Sequence, residues 1–337
     1  MQIITSLSKI FFLTAISFGM ALFLTPLVTY FLYKFKIKQQ IRETSMDGKA
    51  SPIYSSMHKQ KENTPTMGGI IIWLSVLFVT LLFNLSRAQT WLPLFTLVSA
   101  GILGIFDDVF NVLSIGTQRG LRAIRKLLFQ LAIAGVGAWW FFYKLGFDSI
   151  HVPGVGDFSI GWFYIALFIL VIVSTTNAVN ITDGLDGLAG GLLAIAFGAF
   201  AVIAIAKGRI ELAAFCGTIL GALLAFLWFN VYPARFFMGN TGAMSLGATL
   251  GVVALLLNSV LVLPIIGFVF VVETLSVIIQ VTSKVVRGKK VFLVAPIHHH
   301  FEAKGWPEPK ITMRFWIIAA VMGSVGLVVG LIGMGAG

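Results

Sequence analysis

The chain has 337 residues, 58% of them hydrophobic and only 11% charged, with a mean hydropathy of +0.95. A soluble domain carries about 25% charged residues, so the composition excludes a water-soluble globular protein and makes the bilayer the solvent. The net charge of +11 therefore reads as a signal of membrane orientation, and no nucleic-acid partner is expected.

A spanning helix needs about 20 apolar residues. In chain order, charge-free stretches cover residues 10–33, 67–86, 88–106, 127–143, 158–182, 187–206, 212–234, 241–272 and 315–337. The first has full span length and a basic loop after it, so it reads as a retained helix and not a cleaved signal. The segment 146–161 places Ile150, Val152 and Val155 among Pro and Gly, a pattern compatible with a small β-hairpin. The stretch 241–272 is too long for one helix and breaks at Asn258-Ser259, with Pro264 just beyond; its second half continues to about Ser283. The expectation is one all-α domain over residues 1–337, with ten membrane helices. The lone cysteine, Cys216, lies in an apolar stretch and reads as core packing.

Ten helices put both termini on one side. Nineteen Lys and Arg then fall on one face and five on the other. The positive-inside rule makes the richer face cytoplasmic and the termini extracytoplasmic. The two long cytoplasmic loops, about 34–66 and 284–313, are where function is expected to concentrate.

The few polar residues gather on that same face. Asp107-Asp108 ends the third helix, Asp183 and Asp186 follow the fifth, Asn230 and Asn240 flank the loop after the seventh, and His298, His299 and His300 lie in the last loop. Two adjacent carboxylates beside anionic headgroups repel unless a cation is near, although a solvated helix end is the plain alternative. Asp183 and Asp186 would share a face if helical, or could be the acidic start of a helix. Neighbouring residues on a helix point about 100° apart, so three successive histidines cannot all ligate one ion; hydrogen bonding to a substrate is favoured over zinc. Glu273, placed near the middle of the ninth helix, needs a proton, a polar partner or a wet cavity.

Clustered carboxylates suit Mg²⁺, which bridges substrate phosphates. Lys61, Lys126 and the histidines would balance phosphate charge. The string TPTMGG at 64–69 opens the second helix and offers threonines and backbone N–H groups to an anion, or simply a capped helix start. Together these point to phosphoryl transfer between a soluble diphosphate and a lipid phosphate. A transporter, whose polar site would sit at the midplane, fits only Glu273.

The strings TPTMGG at 64–69, FDD at 106–108, NAVNITDGLDGLA at 177–189 and APIHHHFEAKGWPEPK at 295–310 resemble the phospho-N-acetylmuramoyl-pentapeptide transferases, within the polyprenyl-phosphate N-acetylhexosamine-1-phosphate transferases. The resemblance runs nearly the whole chain in order. It implies that undecaprenyl phosphate attacks UDP-MurNAc-pentapeptide, giving lipid I and UMP in a Mg²⁺-dependent reaction at the cytoplasmic face of the bacterial inner membrane, by a homodimer. It implies Asp107 as base or nucleophile with Asp108 beside it, Asp183, Asn177 and Asn180 in the active-site cluster, and Asp186 and Asn230 on the nucleoside side. It further implies His299 and His300 at the substrate, Lys61 and Thr66 near the diphosphate, Phe237 and Gln280 lining the uridine and neighbouring pockets, and residue 240 at the metal; His298 and Lys126 are expected at the substrate, and Asp183 at the metal, from their own chemistry. Siblings that transfer GlcNAc-1-phosphate share the aspartate motifs; the histidine string points to the muramoyl-pentapeptide branch.

The sequence departs from the family at 238–247, where MGNTGAMSLG stands in place of a string like MGDxGSLALG. Asn240 replaces the metal-binding aspartate. An amide oxygen still ligates, but brings no charge, so weaker Mg²⁺ affinity is expected. A homologue that binds without turnover is the alternative this position raises. Asn63 stands where Gly is usual.

Overall fold

The computed structural model describes residues 2–35, 37–38, 64–113 and 123–332. Lys61 lies outside the described residues. The helices are α1 (Gln2–Lys34), α2 (Gly69–Phe83), α3 (Trp91–Val112), α4 (Ala123–Trp139, extended by one π turn, Trp140–Lys144), α5 (Phe163–Thr182), α6 (Leu188–Ala206), α7 (Ile210–Asn230) and α8 (Gly239–Leu256). There follow the single turn α9 (Leu263–Ile266), then α10 (Phe268–Arg287), the short α11 (Ile297–Ala303) and α12 (Glu308–Leu331). Among the described residues nine helices are long and apolar enough to cross a membrane. The tenth expected span is α2, apolar but only 15 residues long. The protein is thus polytopic and all-α, as its hydropathy requires.

The ninth span differs from expectation. The break after α8 runs through Asn258, whose φ of 47° is left-handed, and a second interruption at Gly267 separates α9 from α10. The expected hairpin is present, with β1 (Ser149–Val152) antiparallel to β2 (Gly156–Ser159), and Val155 falls in its turn. It is pinned to the break after α8. The His151 amide donates to Asn258 Oδ1 at 2.9 Å, and the His151 ring lies 2.7 Å from Asp157. Lys207 donates to the Leu257 carbonyl at the end of α8 and to Ser259 Oγ. Burial holds this ammonium below the ordinary lysine value, against the opposing pull of Asp157.

At the centre is α8, where every residue from Thr241 to Leu256 is buried. It packs against α3, α5 and α2, while α7 packs against α1 and α6. The α8 sequence is rich in Gly, Ala, Ser and Thr, and in lipid such small residues let helix backbones approach closely. Two crossings at its N-terminus are close enough to demand glycine. A Cβ on Gly69 of α2 would lie 2.3 Å from Gly242 Cα, and one on Gly104 of α3 would lie 2.5 Å from Asn240 O and Thr241 Cα. Backbone cannot retreat as a flexible side chain can, so Gly104→Val is expected to lower stability by about 1–3 kcal/mol through overpacking. Thermal unfolding in detergent checks this; an unchanged midpoint would show that α3 and α8 can part at no cost.

Candidate active site

The third helix carries Asp107 and Asp108 one turn before its end at Val112, and does not stop at them as expected. Consecutive helical residues diverge by about 100°, so the two carboxylates face different surroundings. Asp107 meets the ammonium of Lys126 on α4 at 3.0 Å. Asp108 faces the start of α8. Its Oδ1 accepts from Asn240 N at 3.2 Å and Asn240 Nδ2 at 2.8 Å, and its Oδ2 from Thr241 N at 2.9 Å and Thr241 Oγ1 at 2.8 Å. It is therefore an N-cap supplied from another helix: it satisfies N–H groups that the first turn leaves unpaired and sits at the positive end of the helix dipole. The repulsion expected between adjacent carboxylates is avoided because each has its own positive partner.

Lys126 is the hub of the first cluster. Besides Asp107, its Nζ donates to Asn180 Oδ1 and Asn240 Oδ1, both at 3.3 Å, so the three ammonium hydrogens have three oxygens from α3, α5 and α8. Asn180 Nδ2 in turn donates to Asn240 Oδ1 at 2.5 Å. Asn177, one turn earlier on α5, donates to Gln130 Oε1 at 2.9 Å and to the Val173 carbonyl.

Behind this cluster lies the segment 64–69. Its backbone N–H groups, read from sequence as open to an anion or as a plain capped helix start, are used within the protein. Thr66 N donates to Ile37 O, Gly68 N to Phe237 O and Gly69 N to Met238 O, while Phe237 N donates to Pro65 O. Thr66 is buried, and a Cβ on Gly239 (φ 72°) would lie 2.7 Å from its hydroxyl and 2.8 Å from Asp108 Oδ2. Phe237 is half-buried on the same lacing.

The last turn of α5 joins this cluster to a second. Asp183 is half-buried at the C-terminal cap of α5. The chain from Asp183 to Gly187 is a turn, and α6 starts only at Leu188; the two aspartates therefore do not share a helical face and neither lies in a helix's first turn. Gly184 is enclosed by the histidines: a Cβ there would lie 2.3 Å from His298 Nε2 and 3.2 Å from His299 Nε2. His298 Nδ1 lies 3.0 Å from Glu273 Oε2, and His299 Nδ1 lies 2.6 Å from Glu302 Oε2. His300 points away, accepting from the Leu293 amide at 3.2 Å. Its pKa is held below the ordinary histidine value, first by burial and then by the Lys304 charge, so it is neutral at pH 7, as that acceptor role requires.

Asp186 and Asn230 brace the adjoining loop. Asp186 Oδ2 accepts from Ala234 N at 2.9 Å, and its own amide donates to Glu308 Oε1. Asn230 accepts from Gly187 N and donates to Phe236 O. Gln280, on α10, clasps the backbone of Val291 and Phe292 through three hydrogen bonds of 2.9–3.0 Å. Sequence reasoning missed Thr241, Gln130, Glu302 and Glu308. Only Glu302 left a signal, three residues after His299, where helical side chains meet.

The oxygen donors of the first cluster are the Asp107 carboxylate and the Asn180 and Asn240 amides, and the Asp183 carboxylate stands at the turn that follows Asn180 on the chain. That set fits a hard divalent cation. Among the described residues no three His, Cys, Asp or Glu side chains converge on one point, so such an ion would rest on one or two carboxylates and on the phosphates of a substrate, as Mg²⁺ does. Asn240 presents its oxygen to Lys126 and Asn180 and its nitrogen to Asp108.

Residues 90–258 match the family model described as glycosyl transferase family 4. Residues 61–72 match phospho-N-acetylmuramoyl-pentapeptide-transferase signature 1. Proteins named phospho-N-acetylmuramoyl-pentapeptide-transferase align along nearly the whole chain. That of Geobacillus thermodenitrificans is 43% identical over 93% of this chain and 95% of its own. Those of Shouchella clausii and Desulfotalea psychrophila are 41% identical (95% of this chain, 97% of theirs) and 40% identical (91% and 88%).

Proposed function

The chain belongs to the phospho-N-acetylmuramoyl-pentapeptide transferase family, and from that premise we propose that it transfers phospho-MurNAc-pentapeptide from UDP-MurNAc-pentapeptide to undecaprenyl phosphate in the bacterial cytoplasmic membrane. The observation that carries the reading is the end-to-end similarity to transferases of that name. It is supported by a cluster in which α3, α4, α5 and α8 bring a carboxylate, an ammonium and two amides within 3.3 Å. An oxygen of the lipid phosphate attacks the sugar-linked phosphorus of the donor. The new P–O bond forms as the bond to the bridging oxygen breaks, and UMP leaves with the electron pair.

A phosphate monoester has its second pKa near 6, so the attacking group is already mostly dianionic at neutral pH. The chain's task is then positioning and charge neutralisation more than proton removal. Lys126, fixed by three oxygens, is placed to meet the donor diphosphate. The Asp107 carboxylate holds that ammonium, and Asp108 holds the α8 terminus on which Asn240 is mounted. In this reading Asp183, next to the Gly184 turn that His299 packs against, serves the same reaction. Asp186, Asn230, Phe237 and Gln280 shape the nucleoside side through the loops they brace. Bound Mg²⁺ would be held by Asp107, Asp183 and the Asn240 oxygen, and would supply charge neutralisation of the diphosphate. The excess of basic residues in the loops on this face supports a cytoplasmic orientation, and in this reading the active form is a homodimer.

UMP release by the purified chain in detergent tests the reading, with UDP-MurNAc-pentapeptide, undecaprenyl phosphate and a Mg²⁺ series, and UDP-GlcNAc as rival donor. Release that needs the muramoyl donor, the lipid and Mg²⁺ is expected. Release from UDP-GlcNAc would assign a sibling reaction instead. No release with either donor would leave a binding protein.

A further inference from the structure

Glu273 and His298 are both fully buried, and their side chains meet at 3.0 Å. Two atoms of this pair, Glu273 Oε1 and His298 Nε2, find no hydrogen-bond partner among the described residues. A buried carboxylate with one oxygen unsatisfied is costly in protein and in lipid alike. Packing alone would be better served by an apolar pair of similar volume, and buried ion pairs are weak contributors to net stability. The arrangement therefore calls for a role beyond joining two segments.

The geometry around Gly184 supplies one. Both His298 and His299 turn Nδ1 toward a carboxylate, Glu273 in one case and Glu302 in the other. Both Nε2 atoms consequently face the Asp183–Gly184 turn, so close that no side chain fits at position 184. The nitrogen that carries a hydrogen in a neutral imidazole is set by the partner of the other nitrogen. A carboxylate accepts only, so an ionised Glu273 forces the hydrogen onto Nδ1 and leaves the bare Nε2 lone pair against the Gly184 methylene. An Nε2–H in that place would push a hydrogen into the turn.

We propose that Glu273 is a positioning residue: it fixes the ring orientation and the Nδ1–H tautomer of His298, and through that ring the Asp183–Gly184 turn that presents Asp183 to the reaction. Glu273 does not touch the substrate. It acts across α10, the histidine loop and the end of α5. For its kinetic part the inference rests on the transferase reading above; for its structural part it does not.

Two measurements test it. The first is ¹⁵N spectroscopy of the histidine-labelled wild-type chain in detergent. A buried imidazole with a protonated Nδ1 and an unprotonated Nε2 is expected for His298; the opposite tautomer overturns the proposal. The second is Glu273→Gln, which keeps the size of the side chain but can donate as well as accept, so the tautomer is no longer imposed. Expected is a fall in kcat for UMP release of at least tenfold, with KM for the donor within twofold of wild type and thermal unfolding little changed. A folded variant with wild-type kcat and KM overturns the proposal and leaves the pair a plain fastener. If the variant does not fold, the tautomer measured in the wild type decides. Wild-type protein that releases no UMP would sink the transferase reading and leave the tautomer measurement standing.

Discussion

Asp108→Ala is expected to destabilise the protein by about 3–5 kcal/mol, the range for removing one partner from a buried charged contact, and to abolish UMP release. The carboxylate is 3% exposed and accepts four hydrogen bonds from the first residues of α8. Truncation leaves two backbone N–H groups and two side-chain donors without their buried acceptor. Asp108→Asn should fall between, because a carboxamide has one oxygen where the carboxylate uses two. Thermal unfolding in detergent, run beside the activity assay, separates the consequences. If Asp108→Ala unfolds at the wild-type midpoint yet is inactive, the carboxylate serves chemistry and not the helix. If both are lost together, and partially so in Asp108→Asn, the cap is its role.

Asn240→Asp should make stability depend on a divalent cation. Asn240 Nδ2 now donates to Asp108 Oδ1 at 2.8 Å, so aspartate would set oxygen against oxygen, both charged. Two like charges at such a separation repel by about 6 kcal/mol at an effective dielectric of 20. Lys126, shared with Asp107 and Asn180, offsets part of this. A divalent cation would offset more, and binding to the native state alone stabilises by about 2.7 kcal/mol at a concentration of 100 times Kd. Unfolding of the variant without Mg²⁺ should therefore occur below wild type, and recover on Mg²⁺ addition by more than wild type gains. Equal Mg²⁺ responses in the two chains would show that residue 240 has no part in holding the ion.

The membrane helices were legible because lipid imposes one rule on all of them, a long apolar run. The hairpin was legible from its turn residues. The interruption at Gly267 was not: α9 and α10 are continuous in hydropathy, and the break is visible only where the chain turns to bring Glu273 beside His298. The site was legible in part. Sequence placed Asp107, Asp108, Lys126, Asn180 and Asn240 on one face, and they do meet. The residue pattern by itself did not distinguish the two adjacent aspartates, whereas one meets an ammonium and the other a helix terminus. That distinction depends on which helices lie to either side of α3, which residues more than 130 positions away decide. The free N–H groups expected at 64–69 failed for a similar reason: their acceptors are the carbonyls of residues 237 and 238, and nothing in a local pattern reveals a distant carbonyl.

The close crossings at Gly69 and Gly104 have a mechanical meaning. Where side chains separate two helices, a push is absorbed by rotamer changes and small slides. Where backbone rests on backbone there is nothing to yield, and the junction is stiff in the way a close-packed solid is. The terminus of α8 that carries Asn240 and receives Asp108 is seated on two such junctions. A charged donor drawn against it cannot spend its attraction on deforming the protein. On the proposed reaction, that attraction goes instead into aligning the phosphorus with the incoming oxygen.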